Sequence, residues 1–543
     1  MFRSKGSVFS FQFSVFSTVS SRCHIESVSS SDFFACFLQK NCIENFVNKC
    51  RFSIQLSFLK LTRSDKKLLI SSRCHPKFFS SSAVENLIKF VLLLFTFVFY
   101  SCNSDSNNSA QTTKNNNPTF ADVAPIIFKN CTPCHRAGES GPFELMTYED
   151  VFKNKNKIKF VTQTRYMPPW PADANYSHFI GERTLTNNEI DLIKTWVENG
   201  APKGDESKIP SAPIFYTGSF LGKPDTVIKF KVPVPIKGNG ADHFYVVKLP
   251  IQLPKDTFVS YFEFVPNHRQ LAHHINGHLI SYDTGKKKDI QNGLTYSLDN
   301  FSDYKDLYSQ MNILNDDGTF PVLTPNTVYY LPGYTPPSYP DGIGGYKINK
   351  TSAVLLKNIH FGPSNKDVLD SSYINLFYGP KPKRPIFETQ LGTFGISKIE
   401  PELILLPNKI QTFHTQATLN GDASILSVNP HMHLLGKSFW AFAVQQNGDT
   451  IPLIKINKWD FRWQYYYTYQ HPIIIKAGTV IHVYGTFDNT NKNPFNPNHP
   501  PKIVTQGEGV RSMQTTEEMF QFIFTYLPYQ AGDEKLDLSK IIN

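Results

Sequence analysis

Residues 427–438 read SVNPHMHLLGKS, and the pair His431 and His433 within them decides what kind of fold to expect. One residue separates the two histidines. Two residues is the repeat of a β-strand, so side chains at this spacing leave the same face. Both imidazoles can then reach one metal ion, which makes the stretch a candidate metal-binding strand.

The composition around it agrees with short strands. The chain of 543 residues carries 45 Phe, 25 Tyr and 37 Pro, which favours strands and turns over long helices. Its length suits three or four domains. The formal charge of +10 is local: residues 1–83 hold 12 Lys/Arg against 4 Asp/Glu, and the rest is close to balance. Nothing in that distribution points to nucleic acid. Cysteine is equally uneven. Cys131 and Cys134 are the last two, so no disulfide can form in the final 400 or so residues. Stability there has to come from packing and metals.

Residues 84–102 read VENLIKFVLLLFTFVFYSC. The apolar run Phe90–Tyr100 follows Lys89 and has the length of a signal-peptide core, short of a membrane span. Ser101 before Cys102 at its end resembles a bacterial lipoprotein signal, which implies lipidation at Cys102 and a place in the cell envelope, on the periplasmic side or at the outer-membrane surface. Residues 1–83 then read as a spurious or disordered leader, and 103–117 as a flexible tether. The competing expectation is a secreted chain with an incidental Cys102.

The next segment, 118–204, contains NCTPCHRAG. Cys131, Cys134 and His135 form C-x-x-C-H, the c-type haem attachment motif: two thiols add to the haem vinyl groups, and the adjacent imidazole is held at the iron. Further on, TRYMPPWPAD offers Met167 as the second axial ligand, with Met146 as the rival. Thr186 and Glu189 predict a capping box, with Leu192, Ile193, Trp196 and Val197 as the apolar stripe of the helix it starts and Gly200 as its stop. The segment resembles a small all-α class I cytochrome c. His/Met ligation suits one-electron transfer.

After the linker 205–213 the texture changes to short strands, and four pieces carry chemistry. NHRQLAHHINGHL holds the adjacent pair His273 and His274, LLKNIHFGP holds His360, the opening stretch holds His431 and His433, and GEGVRSMQTTEEMF holds Met519. Adjacent histidines in a straight strand point to opposite faces, so His273 and His274 can share a metal only if the strand bulges or ends there. Imidazole suits copper in either oxidation state, and a thioether favours Cu(I) and disfavours zinc.

In this order, the pieces resemble the copper type II, ascorbate-dependent monooxygenases, the family of dopamine β-monooxygenase and peptidylglycine α-hydroxylating monooxygenase. H-x-H-x-L-G-K with Gly436 and Lys437, and E-E-M with Glu518, carry the closest likeness. The resemblance implies two all-β antiparallel, jelly-roll-like sandwiches, at 214–392 and 393–529, followed by a tail at 530–543. It implies two copper ions: one on His273, His274 and His360, the other, catalytic, on His431, His433 and Met519. It also implies an oxidoreductase that hydroxylates a C–H bond of a small organic substrate with O2, fed by an ascorbate-like reductant or a redox protein. One covalently bound haem c in the same chain suggests a built-in donor to the first copper.

The sequence departs from the peptide-hydroxylating relatives where they grip a substrate carboxylate. Asn429 stands in place of their Arg, and Gln521 and Ile523 in place of their Asn and Tyr. A disulfide of the relatives corresponds to His482 and Phe520 here. His268 and His278 flank the first pair as alternative or supporting ligands. His243, His414, His471, His482 and His499 read as structural or surface residues. The alternative from another class is a non-catalytic haem and copper electron-transfer lipoprotein. A zinc hydrolase is disfavoured by the thioether and the lack of a neighbouring general base.

Overall fold

A computed structural model describes residues 117–539 apart from 216–217, 334–338, 341, 394 and 508–513. The leader, the signal segment with Cys102 and nearly all of the tether lie outside the described residues. The described part belongs to one compact unit, Thr113–Asn543. None of its helices is long and apolar enough to cross a membrane.

Three helices begin it: α1 (Phe120–Asn130), α2 (Tyr148–Gln163) and α3 (Asn187–Glu198). Helix α3 starts as its sequence predicts. The Thr186 hydroxyl accepts from the Glu189 N–H, and the Glu189 carboxylate accepts from the Thr186 N–H. Ile193 and Trp196 are fully buried, and Gly200 turns the chain at φ 87°. Phe120, Tyr148 and Trp196 meet edge-on or tilted to knit the three helices together.

The rest is antiparallel sheet. In the first pair of sheets, five strands run in the order Tyr296–Leu298, His243–Gln252, Thr351–Phe361, Ala272–Ser281, Leu323–Tyr330. They face four strands in the order Thr226–Lys229, Tyr373–Tyr378, Thr257–Val265, Tyr346–Ile348 across one core. In the second pair, Phe387–Leu391, Phe520–Pro528, Ala423–Met432 and Tyr467–Ile475 face a five-stranded sheet built around Val480–Asn489. Val480–Asn489 alternates half-buried and buried along its whole length, as a strand with one wet face must. Ala423–Met432, by contrast, is buried on nearly every residue. Its outer face is covered by a cluster that includes Ile180, Ile386 and Leu538, which explains its apolar run.

The helical segment does not stand apart from the sheets. Ala172 and Phe179 belong to the core of the second sheet pair. Backbone bonds run from Asp173 N–H to the Lys455 carbonyl and from Ile180 N–H to the Thr468 carbonyl, each 2.8 Å. On the other side, buried Glu139 is shared by Arg136 at 2.7 Å and Arg269 at 3.2 Å, which ties the end of the C-x-x-C-H turn to the first sheet pair.

Candidate functional site

Three groups of side chains converge where the helical segment meets the two sheet pairs. The first surrounds a largely apolar cavity of about 470 Å³, within the range of cofactor sites. Cys131, Cys134, His135 and Met167 all line it, and Met146 does not. His135 Nδ1 lies 3.0 Å from the Phe143 carbonyl and donates to it, which fixes the tautomer and leaves Nε2 as the free acceptor. Burial keeps this imidazole neutral, pushing its pKa below the usual value, partly offset by the Phe143 carbonyl. Burial also pushes the Cys131 thiol up to about 12 and raises Cys134. Gly141 is required here, since a Cβ would come within 2.7 Å of both the His135 ring and the Cys134 carbonyl. Two neutral thiols, an oriented imidazole and a thioether around an apolar cavity fit a c-type haem.

The second group is His273, His274 and His360. The strand Ala272–Ser281 is irregular on both sides of His274 in its pairing with Thr351–Phe361. As a result both adjacent histidines lie against His360, with ring centres 4.5 and 5.0 Å away. Phe244 stacks on the far face of the set at 4.4 Å from His360. Burial lowers the pKa of His273 to about 4 and that of His274 well below the usual value. Among the described residues, no three His, Cys, Asp or Glu side chains already converge on one ligating point. The rings pack rather than point together. Yet both ring nitrogens of buried His360 lack a hydrogen-bond partner, a costly state that a metal would relieve. Asp242 Oδ1 is a close polar neighbour, 3.0 Å from His360 Nε2 but off the axis of a well-formed hydrogen bond.

The third group is built on Ala423–Met432 and its neighbour Phe520–Pro528, with His431 opposite Gln521 and Met432 opposite Phe520. The His431 and His433 rings sit 5.2 Å apart at 86°. His433 Nδ1 is held 2.8 Å from the Glu517 carbonyl, and the Gln464 side chain hydrogen-bonds His431. Fully buried Glu518 accepts from the N–H groups of His433 (2.9 Å), Leu435 (2.6 Å) and Met519 (3.3 Å). Met519 therefore sits one residue beyond the Met432–Phe520 pair, beside His433. Burial lowers His431 to about 3 and His433 to about 4, so both stay neutral, the form that binds metal. It also lifts Glu518 to about 8 against the pull of its three backbone donors.

The three groups touch. His273 and Trp463 both line the cavity. Phe461 stands between the other two, its ring centre 6.0 Å from that of His274 and 5.6 Å from that of His433. His431 and His433 lie close enough to His274 that protonating either would disfavour a proton on it. Sequence reasoning missed Phe461, Arg462, Trp463 and Gln464; the density of aromatics in WDFRWQ was the one signal.

The flanking histidines go elsewhere. His278 Nδ1 bonds the Thr324 carbonyl at 2.9 Å, and His268 Nε2 lies 3.3 Å from the Leu369 carbonyl. His482 stacks on His414 on the outer face of its sheet, whereas Phe520 is fully buried on the inner side. These two positions do not face each other, so the correspondence with a disulfide fails there. Asn429 is committed to the backbone carbonyls of Gln464 (3.3 Å) and Tyr465 (2.8 Å), and Gln521 to Thr393 (3.1 Å).

Residues 407–496 match the family described as copper type II ascorbate-dependent monooxygenase, C-terminal domain. The matched span contains His431, His433 and Phe461 and ends before Met519. The match supports a copper-dependent oxidoreductase of the monooxygenase type; such a family implies an organic substrate, O2 and a reductant. No curated protein matches the chain. Among solved structures, an allantoicase structure aligns at 7% identity over 45% of this chain and 77% of that one, with a TM-score of 0.14, too low to carry an argument.

Proposed function

We propose that this chain is an exported, lipid-anchored copper monooxygenase with its own haem donor, and that it hydroxylates a C–H bond of a small organic molecule. His431, His433 and Met519 would hold the catalytic copper, and His273, His274 and His360 the second copper. Cys131 and Cys134 would attach haem c, with His135 and Met167 as axial ligands. When bound, the coppers supply oxygen activation and the haem supplies single electrons. The observation that carries the reading is the meeting of the three groups, with His273 in the cavity wall and one aromatic ring between His274 and His433.

The chain's own residues have clear tasks in this reading. The Phe143 carbonyl and Glu517 carbonyl orient His135 and His433 through Nδ1, leaving Nε2 to ligate. Glu518 holds the backbone of His433 and Met519 in one fixed unit. The cavity wall includes Ala272, His273 and Pro332 of the first sheet pair as well as the helical segment, so the haem would be docked rather than swinging on a tether. Asn429, with its amide engaged, offers no grip for a carboxylate, which argues against a peptide C-terminus as substrate.

Metal analysis with optical and EPR spectra of the chain from Cys102 onward tests the reading. Two coppers and one low-spin haem per chain are expected. Zinc in the histidine sites, or oxygen uptake unaffected by Met519→Leu, would overturn it.

A further inference from the structure

We propose that Phe461 is a positioning residue that bridges the two copper sets, so that an electron reaching His274 passes to the His431–His433 set by way of its ring. The inference rests on the reading above.

Phe461 lies in the connection between the strands Thr450–Ile456 and Tyr467–Ile475. A loop of this length is ordinarily mobile, but this one is fastened on every side. The Trp459 indole donates to the His433 carbonyl at 3.1 Å, and its backbone N–H donates to the Lys437 carbonyl at 2.8 Å. Arg462 grips Asp460 with two bonds, 2.9 and 2.6 Å. The Gln464 amide donates to the Phe461 carbonyl at 2.8 Å, and the Gln464 carbonyl accepts from Asn429 and from the Tyr329 hydroxyl.

The ring so held meets His274 at 86° and His433 at 80°. Both are edge-to-face contacts of the kind aromatic pairs prefer. The ring is half-buried, and it sets polarisable matter edge-to-face against both imidazoles. The next two residues, Arg462 and Trp463, line the cavity beside His135 and Met167. One short stretch thus contacts the predicted electron source, relay and destination.

The test uses the copper-loaded haem protein and its Phe461→Ala and Phe461→Tyr variants. A single electron is delivered to the haem by flash photolysis of an external donor. Haem absorbance follows the first transfer, and freeze-quench EPR of the two cupric signals follows redistribution between the copper sets. In Phe461→Ala the first transfer should keep its rate while redistribution slows by roughly tenfold or more. Phe461→Tyr, which keeps the ring, should restore it. Redistribution at the wild-type rate in Phe461→Ala would overturn the inference, as would equal slowing of both transfers, which marks a general loosening. Wild-type protein without two coppers would instead sink the functional reading itself, before any variant is compared.

Discussion

The two histidine sets are made of the same side chain and are held in opposite ways. At His431 and His433 each ring has a hydrogen-bond partner that sets its rotation, and a buried carboxyl clamps the backbone behind them. At His273, His274 and His360 the rings are held mainly by packing on one another and on Phe244, with lighter polar contacts from His273 to the Gly362 backbone and from His360 to the half-exposed Asp242. The first arrangement is prepared for one geometry. The second can let its rings swing as a ligated ion changes charge. A catalytic centre needs the former, and an electron relay tolerates the latter.

The largest expected effect strikes the clamp. Glu518→Ala leaves three backbone N–H groups, two of them buried beside the His433 turn, without an acceptor. Loss of about 3–5 kcal/mol of stability is expected, read as a lower urea midpoint of the metal-free protein. Glu518→Gln keeps one acceptor oxygen and should lose about half as much. If both variants unfold like wild type, the second set is no better fixed than the first and the contrast breaks.

A pH titration sharpens the contrast from another side. His273, His431 and His433 are pushed down to about 4, 3 and 4, and His274 well below its usual value, all chiefly by burial. An unfolded histidine takes a proton near pH 6.5, which the folded protein refuses. Stability is therefore whole above pH 6.5 and falls as the pH drops toward 4. Each histidine contributes a slope of about 1.4 kcal/mol per pH unit, as does His278, likewise lowered to about 4, while Glu518 and Glu388, lifted to about 8 and 7, each offset about as much down to pH 4.5, leaving a net of roughly 4 kcal/mol per unit. The metal-free protein should unfold between pH 6.5 and 5 in circular dichroism. Copper should raise the curve without flattening it, since the unfolded chain still gains the protons. Replacing His273 and His274 by Asn should lower the slope as much as replacing His431 and His433 does. Unequal reductions would show that one set is wetter than the other.

What could be read from the sequence was what is local. The spacing of His431 and His433 states a shared face because strand geometry acts over two residues. The adjacency of His273 and His274 demands a broken register, and the strand is irregular on both sides of His274. Thr186 and Glu189 announce their helix start three residues apart. By contrast, the engagement of Asn429 with residues 464 and 465, the burial of Phe179 among the second sheet pair, and the site of Phe461 depend on contacts between distant parts of the chain. WDFRWQ has neither a strand nor a helix period, so nothing in it predicts which face lies inward. The positions assigned to a lost disulfide failed for the same reason: strand parity puts His482 outside, a fact that alignment by motif ignores.

The smallest effect is expected at Asp242, and it separates the two sets most finely. Its carboxylate is 3.0 Å from His360 Nε2, and that position beside the ring nitrogen holds it below the usual carboxylate range. The side chain is 50% exposed, however, so water screens the pair. Asp242→Asn should change the stability of the metal-free protein by less than about 0.5 kcal/mol. Its consequence should appear only with a cation present. Removing a negative charge next to His360 should weaken cupric binding at the first set by roughly tenfold or less, measured by competition with a chelator, and leave the second set unchanged. A carboxylate-to-amide change at Glu518 should do the reverse, costing stability before it touches affinity. If Asp242→Asn destabilised the metal-free fold by more than about 1 kcal/mol, Asp242 would be the orienting partner of His360. The first set would then be as firmly prepared as the second, and flexibility could no longer explain a division of labour between them.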